Sequence, residues 1–144
     1  MANPFQETRN NQQFYFENTL RKTSLFERKK KLKKVKKWIK ANEANIIKAL
    51  YEDFKKSPEE VRLADIKPVI SEISDALKHL RDWAAPQRVN SPLYLLGSKS
   101  HVTSQPKGLN LIIAPWNFPF NLTIAPMVSA IAAGNCVVLK PSEL

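Results

Sequence analysis

Cysteine is scarce in this sequence: Cys136 is the only one among 144 residues. A single thiol permits no internal disulfide, which fits a reducing compartment. Residues 1–13 contain no apolar segment of the kind that signal peptides carry. No apolar run approaches the ~18 residues of a membrane-spanning helix. We therefore expect a cytoplasmic protein with no membrane partner in this segment.

Acidic residues are fewer than basic ones: the chain has 13 Asp and Glu and 23 Lys and Arg, which gives a net charge of +10. Nine of the basic residues lie within residues 28–40, opposite a single apolar stripe. Such a run is typical of the solvated face of a helix, and only Trp38 is available there to stack on bases. The apolar face is also thin for an interfacial membrane anchor. We expect no nucleic-acid partner; a basic helical module that binds nucleic acid or an anionic membrane surface is the alternative.

Helical signals fill the first part of the chain, beginning with a predicted helix over residues 7–21. Ser24 and Ser57 each precede a glutamate by three residues, which is the capping-box pattern that begins a helix. Asn42 is the predicted cap of a helix between them. Pro68 falls inside the last of these helices and is expected to kink it. The apolar positions recur at helical spacing: Leu25, Leu32, Val35, Ile39, Ile46, Leu50, Phe54, Ile66, Val69, Ile73, Leu77, Leu80 and Trp83.

The spacing of apolar residues changes after this helical N-terminal part, which we assign to residues 1–87. Leu93–Leu96 and His101–Thr103 are short extended runs on either side of a turn at Gly97. Two such runs predict a hairpin. We interpret residues 88–107 as a β-hairpin linker whose strands are of the type used in oligomerisation.

The last part of the chain, residues 108–144, predicts a βαβ unit. Leu109–Ala114 and Cys136–Leu139 are apolar runs that suit buried strands. Leu122–Ala133 carries apolar residues at helical spacing and is followed by Gly134, a common helix stop. A crossover helix between two strands makes them parallel, and ligands of such sheets bind beyond the carboxyl ends of the strands. The loops that follow the two strands are therefore the predicted functional region.

Those two loops carry distinctive residues, PWNFPFNL at 115–122 and KPSE at 140–143. Together with AAGN at 132–135, they resemble the class 3-like branch of the aldehyde dehydrogenase superfamily; DFKKS at 53–57 and WAAP at 83–86 fit the same pattern. The resemblance implies an incomplete aldehyde dehydrogenase fold of the α/β class. In it, residues 108–144 begin a Rossmann-like NAD(P)-binding domain. It also implies an enzyme that oxidises an aldehyde substrate to a carboxylic acid through a cysteine thiohemiacetal, uses NAD or NADP, and forms a homodimer when full length.

The resemblance makes Asn117 a catalytic residue, an oxyanion-hole donor to the oxygen of the thiohemiacetal. The chemistry suits an asparagine, because a neutral NH2 group held near a helix N-terminus can stabilise developing negative charge. Pro115 and Pro119 restrict the loop on either side of it. The alternative is that Asn117 only caps or turns into the following helix, as asparagine often does.

Cofactor binding is assigned to both loops by the same resemblance. Lys140 and Glu143 resemble the pair that binds the adenine-side ribose. A carboxylate accepts ribose hydroxyls and repels a 2′-phosphate, so Glu143 favours NAD slightly, although Lys140 beside it can accommodate a phosphate. No G-x-G-x-x-G follows the first strand, so the usual dinucleotide fingerprint is absent. The expected cofactor-binding residues are Ile113, Ala114, Pro115, Trp116, Lys140, Ser142 and Glu143.

Cys136 is not the expected nucleophile. It opens an apolar strand and has neither a base nor an adjacent cation to lower its pKa, so we interpret it as a buried structural residue. His79 and His101 form no metal-ligand pair in the sequence and are expected at the surface. No metal site is predicted.

The resemblance also shows what is missing from residues 1–144. The family needs a nucleophilic cysteine, a general-base glutamate in a Glu-Leu-Gly-Gly-type segment and a glycine-rich turn, and none of these occurs here. A two-stranded parallel sheet also leaves its faces uncovered. We therefore expect an N-terminal fragment that is inactive by itself. A non-catalytic partner of a full-length dehydrogenase, pairing through the 93–103 hairpin, is a further alternative.

Overall fold

The computed structural model describes residues 4–143, and within them it confirms an α/β fold with a helical front. Single 3-10 turns occupy Leu20–Lys22 and Leu93–Leu95, and a π-helical segment occupies Val61–Ile66. The remaining elements, in chain order, are α1 (Pro4–Asn18), α2 (Leu25–Ala41), α3 (Glu43–Phe54), α4 (Pro58–Glu60), α5 (Lys67–Ala84), β1 (Gln87–Val89), β2 (Ser100–Val102), β3 (Leu109–Ile113), α6 (Pro119–Ala133) and β4 (Cys136–Lys140).

Both capping boxes begin helices where they were predicted. The Ser24 hydroxyl accepts a hydrogen bond from the Glu27 N–H at 3.3 Å, and the Ser57 hydroxyl accepts one from the Glu60 N–H at 3.2 Å. Asn42 precedes α3 as predicted, but its side chain donates backward to the Trp38 carbonyl at 2.9 Å and makes no cap to α3. Only one residue separates α2 from α3, so this side chain pairs with a carbonyl in the last turn of α2 instead.

The core forms where the apolar stripes of the helices meet. Leu32 and Ile39 from α2 and Val69 and Ile73 from α5 are almost fully buried, and full burial of each such side chain contributes about 1.5–3 kcal/mol. Val128 of α6 lies in the same cluster. The helix that connects the two parallel strands is thus packed directly against the helical front.

A π-helical segment lies just before Pro68, where a kink is predicted from the sequence. The kink itself stays a prediction. The backbone is continuously helical from α4 through this segment into α5. The Lys67 N–H donates a hydrogen bond to the Arg62 carbonyl, five residues earlier in the chain. The missing N–H of Pro68 leaves the Ala64 carbonyl without its usual partner. The Asn121 side chain of α6 donates to that carbonyl at 3.0 Å.

The hairpin exists, but its first strand differs from the prediction. β1 and β2 pair antiparallel, with Gln87 opposite Val102. The predicted strand at Leu93–Leu96 is wrong, since these residues lie in the connection and begin with a 3-10 turn. Pro92 fixes its own φ at −59°, and its carbonyl accepts the Leu95 N–H at 2.9 Å, so a local turn replaces strand pairing.

The βαβ unit is confirmed, with β3 and β4 parallel and Leu109 opposite Cys136. Gly134 ends α6 with a left-handed φ of 86°, as a helix stop requires. The start of α6 was predicted at Leu122 and lies one turn earlier, at Pro119. Proline suits the first helical position because its missing N–H would have no helical partner there.

Candidate functional site

The two predicted functional loops lie side by side at the carboxyl edge of the parallel sheet. The Ala114 N–H donates to the Lys140 carbonyl at 3.1 Å, so strand pairing continues to the base of both loops. Ala114 is buried, whereas Ile113 and Trp116 are 69% and 53% exposed and can contact a ligand above the sheet. The remaining predicted residues at this edge are also exposed or half-buried: Pro115, Asn117, Lys140, Ser142 and Glu143.

Asn117 presents its side chain to solvent and anchors its backbone inside the protein. Its carbonyl accepts a hydrogen bond from the Lys56 ammonium at 2.9 Å. Within residues 4–143, its side-chain amide has no hydrogen-bond partner. The cap position of α6 is Phe118, so Asn117 does not serve as the helix cap. The amide is therefore available to a ligand, while the backbone that carries it is held.

A buried ion pair lies directly beneath this loop. The Lys56 ammonium is 3.0 Å from Oδ2 of Asp65, and both residues are buried, at 8% and 0% exposure. The ammonium also lies 4.1 Å from the ring centroid of Phe118, a cation–π geometry. Two charges are tolerated here because each has a close partner.

Asp65 also caps α6 from outside that helix. Phe118, at the cap position, has no side-chain oxygen to accept the unpaired N–H groups of the first turn. Oδ1 of Asp65 accepts the Asn121 N–H at 3.3 Å and so supplies the missing acceptor. Its negative charge near the helix N-terminus is favourable.

Sequence reasoning missed both members of this pair. Asp65 lies four residues from Val61 and four from Val69, which are fully buried. A carboxylate at that spacing on an apolar stripe signals a buried charge that needs a partner. Lys56 gave no comparable signal, because it follows Lys55 in a polar turn and resembles a surface lysine.

The second loop carries an exposed ion pair. The Lys140 ammonium is 2.7 Å from Oε1 of Glu143. The hydrogen bond and charge of Lys140 lower the pKa of the Glu143 carboxyl below its ordinary value. Glu143 is therefore held ionised, with exposed oxygens that can accept hydroxyl donors.

Cys136 is buried as predicted, and it lies at the start of β4, away from the loops. Its thiol is 3.5 Å from the Gln12 carbonyl, and burial raises its pKa, an effect that Lys31 opposes in part. A thiol with a raised pKa is a poor nucleophile. Its burial is as expected for the structural residue that the sequence predicts.

The two histidines lie apart from this edge. His79 is half-buried and stacks on Trp83 at 6.0 Å between ring centroids, and His101 is exposed in β2. In the part of the chain that the structure describes, no group of three or more His, Cys, Asp and Glu residues is arranged to hold a metal ion.

Arg28 fixes the other end of α6, and sequence reasoning missed this role. Its Nη1 donates to the Ala133 carbonyl at 3.2 Å and to the Ala132 carbonyl at 3.5 Å. A Cβ on Gly134 would lie 2.5 Å from Cζ of Arg28, so any larger residue here would have to displace the guanidinium group. Both ends of α6 are therefore held by charged side chains from the helical front.

The basic face of α2 is used in part by the protein itself. The Lys36 ammonium donates to the Ser74 hydroxyl of α5 at 2.7 Å, and the Lys31 ammonium lies 6.0 Å from the ring of Tyr15. These contacts lend no support to a dedicated polyanion site. Among residues 4–143, no helix is long and apolar enough to cross a membrane.

Comparison with known proteins gives a consistent set of relatives. The model of the aldehyde dehydrogenase family matches residues 7–144. The 4,4'-diaponeurosporen-aldehyde dehydrogenase of Staphylococcus aureus is 42% identical over 137 residues, which cover 92% of this chain and 30% of that protein. Aldehyde dehydrogenase family 3 member B1 of Mus musculus is 42% identical over 107 residues, which cover 74% of this chain and 23% of that protein. The resemblance to the class 3-like branch is confirmed.

A solved structure shows the same fold. The substrate-bound state of Staphylococcus aureus AldH superimposes with a TM-score of 0.90 at 38% identity, covering 99% of this chain and 31% of that one. The chain thus spans less than a third of the length of these relatives. The family model covers nearly all of its residues, including β3, β4 and the loops that follow them. This chain belongs to the aldehyde dehydrogenase family.

Proposed function

We propose that this chain is the N-terminal part of an NAD(P)-dependent aldehyde dehydrogenase. The reaction is oxidation of an aldehyde to a carboxylic acid through a thiohemiacetal on a cysteine that residues 1–144 do not supply. The observation that carries the proposal is the exposed Asn117 amide, which stands at the carboxyl edge of the sheet on a backbone held by Lys56.

In this proposal Asn117 stabilises the oxygen of the thiohemiacetal. Negative charge develops on that oxygen as sulfur attacks the carbonyl carbon, and a fixed N–H donor stabilises the charge without reorganising. The amide lies one residue before the cap of α6, where the helix dipole also favours negative charge. Loss of one such donor costs about 10²–10³-fold in turnover.

The cofactor in this proposal is a nicotinamide dinucleotide, which accepts the hydride that the aldehyde carbon releases. The exposed and ionised Glu143 carboxylate suits the adenine-side ribose hydroxyls, with Lys140 and Ser142 beside it. Ile113, Ala114, Pro115 and Trp116 would form the wall of the cleft. We favour NAD slightly over NADP, because a carboxylate repels a 2′-phosphate.

The assembly proposed for the complete protein is a homodimer in the cytoplasm. The loop between β1 and β2 exposes Leu93, Tyr94 and Leu96 at 87%, 84% and 85%. Exposed apolar side chains beside an unpaired strand edge are a common feature of pairing surfaces. Light scattering of the complete protein at twice the mass of one chain is the expected result, and a monomer would contradict this part of the proposal.

Sequencing the coding DNA downstream of the Leu144 codon is the direct test. The expected result is an open frame with a glycine-rich turn, a Glu-Leu-Gly-Gly segment and a cysteine. The polypeptide encoded by that frame should reduce NAD or NADP when an aldehyde is added, while residues 1–144 expressed alone should not. A stop codon at that point, or turnover by residues 1–144 alone, would contradict the proposal.

A further inference from the structure

We infer that Lys56 and Asp65 are positioning residues that hold the Asn117 amide in its catalytic place. The inference rests on the oxyanion role proposed above for Asn117. Neither side chain reaches the exposed edge of the sheet, since both are buried beneath the loop. Their influence on the reaction therefore passes through the backbone of residues 117–121.

The first contact fixes the start of this segment. The Lys56 ammonium donates to the Asn117 carbonyl at 2.9 Å and to Oδ2 of Asp65 at 3.0 Å. An ammonium is a stronger donor to a carbonyl than a neutral N–H group. The peptide group that follows the Asn117 side chain is thereby tied to the interior of the helical front.

The second contact fixes the end of the segment. The other oxygen of Asp65, Oδ1, accepts the Asn121 N–H at 3.3 Å. One carboxylate thus connects to both sides of residues 117–121, through Lys56 to Asn117 and directly to Asn121. Phe118, between these contacts, packs its ring against the same ammonium at 4.1 Å.

Stability alone gives little reason for this arrangement. Two charges must leave water to form a buried pair, and apolar residues of similar volume often stabilise a fold equally well. The ion pair does orient the backbone of residues 117–121, because hydrogen bonds fix the orientation of a peptide group and apolar packing does not. A catalytic donor needs placement within about 0.5 Å, which this bridge can supply.

The test uses the complete protein that contains residues 1–144. The double variant Lys56→Met/Asp65→Asn removes both charges together, so no unpaired charge remains buried, and the new amide oxygen at position 65 still offers an acceptor to the Asn121 N–H. We expect kcat to fall about 10- to 100-fold from misplacement of the donor, with the KM of the cofactor unchanged. A matched control is Arg62→Met/Glu43→Gln, which removes an exposed ion pair of 2.8 Å between α3 and the π-helical segment that carries Asp65. The control should leave kcat unchanged.

Coupling to Asn117 separates positioning from general destabilisation. If Lys56 and Asp65 act through the amide, their double variant should change kcat by less than about twofold in an Asn117→Ala background. Multiplicative effects, or a normal kcat in the double variant, would overturn the positioning role and leave the proposed function standing. A normal kcat in Asn117→Ala alone would overturn the oxyanion role, and the positioning role with it.

Amide hydrogen exchange gives a readout that does not depend on turnover. In the double variant, peptides that cover residues 115–122 should exchange at least about tenfold faster, because the Lys56 ammonium no longer holds the Asn117 carbonyl. Peptides from the β1–β2 hairpin should exchange as in the parent protein. Unchanged exchange over residues 115–122 would overturn the inference.

Discussion

The side-chain amide of Asn121 donates a 3.0 Å hydrogen bond to the backbone carbonyl of Ala64. Ala64 lies four residues before Pro68, whose nitrogen has no hydrogen to donate to that carbonyl. The asparagine in α6 therefore completes a hydrogen bond that the proline-containing helix cannot make. This contact joins the helical front to the first turn of α6, directly beside the loop that carries Asn117.

The hydrogen bond from Asn121 to the Ala64 carbonyl predicts that removing the Asn121 side chain destabilises the protein, and that replacing Pro68 as well restores part of the stability. Asn121→Ala should lower the free energy of unfolding by about 1–3 kcal/mol, because a carbonyl inside the structure loses its donor. Adding Pro68→Ala returns a backbone N–H to that carbonyl and should recover part of the loss. Urea denaturation of the complete protein measures both effects. An equal loss with and without the second substitution would contradict this account.

Removal of the Asn117 side-chain amide should impair turnover and spare cofactor binding. In the complete protein, Asn117→Ala should lower kcat by about 10²–10³-fold, since the donor acts on charge that develops in the transition state. Steady-state kinetics with a saturating aldehyde give the measurement. Asn90→Ala is the matched control, because Asn90 is an exposed asparagine in the hairpin linker. A raised cofactor KM with normal kcat would assign Asn117 to cofactor binding instead.

Replacement of Gly134 should destabilise the fold more than replacement of Gly97. Both have positive φ, at 86° and 92°, so alanine at either costs about 1–3 kcal/mol in backbone strain. At Gly134 the new methyl group would also lie 2.5 Å from Cζ of Arg28, whereas nothing lies within 4 Å at Gly97. Gly134→Ala should therefore lower the melting temperature more than Gly97→Ala. Equal shifts in thermal denaturation would show that Arg28 moves aside without cost.

The pH dependence of the second loop follows from the lowered pKa of Glu143. A carboxyl whose pKa is depressed in the folded state stabilises that state above its ordinary pKa, and the contribution is lost as pH falls through the depressed value. NMR titration should place the Glu143 pKa below its ordinary value, because Lys140 favours the ionised form. Lys140→Met should raise it, and Lys99→Met, in the hairpin loop, should not. A Glu143 pKa that is the same with and without Lys140 would contradict the ion pair.

The secondary structure of this chain is largely determined by local sequence. Ser24 and Ser57 began their helices as expected because capping depends on residues three apart. Gly134 ended α6 because a left-handed residue is needed there and glycine adopts it without strain. The strand at Leu93–Leu96 was mispredicted for a related reason: the turn that Pro92 initiates prevailed over the apolar character of the run.

The sequence by itself determined the family, the helical front, the βαβ unit and the position of the two loops that follow its strands, since each depends on short motifs or on periodicity. Only the tertiary structure decided how the loops are held. The hydrogen bond between Lys56 and Asn117 joins residues 61 positions apart in the chain, and the one between Asp65 and Asn121 joins residues 56 positions apart. Local patterns say nothing about such distant pairs. These pairs are identified by the burial of charged residues in the structure, because a lysine and an aspartate are buried only where the fold places a partner for each charge.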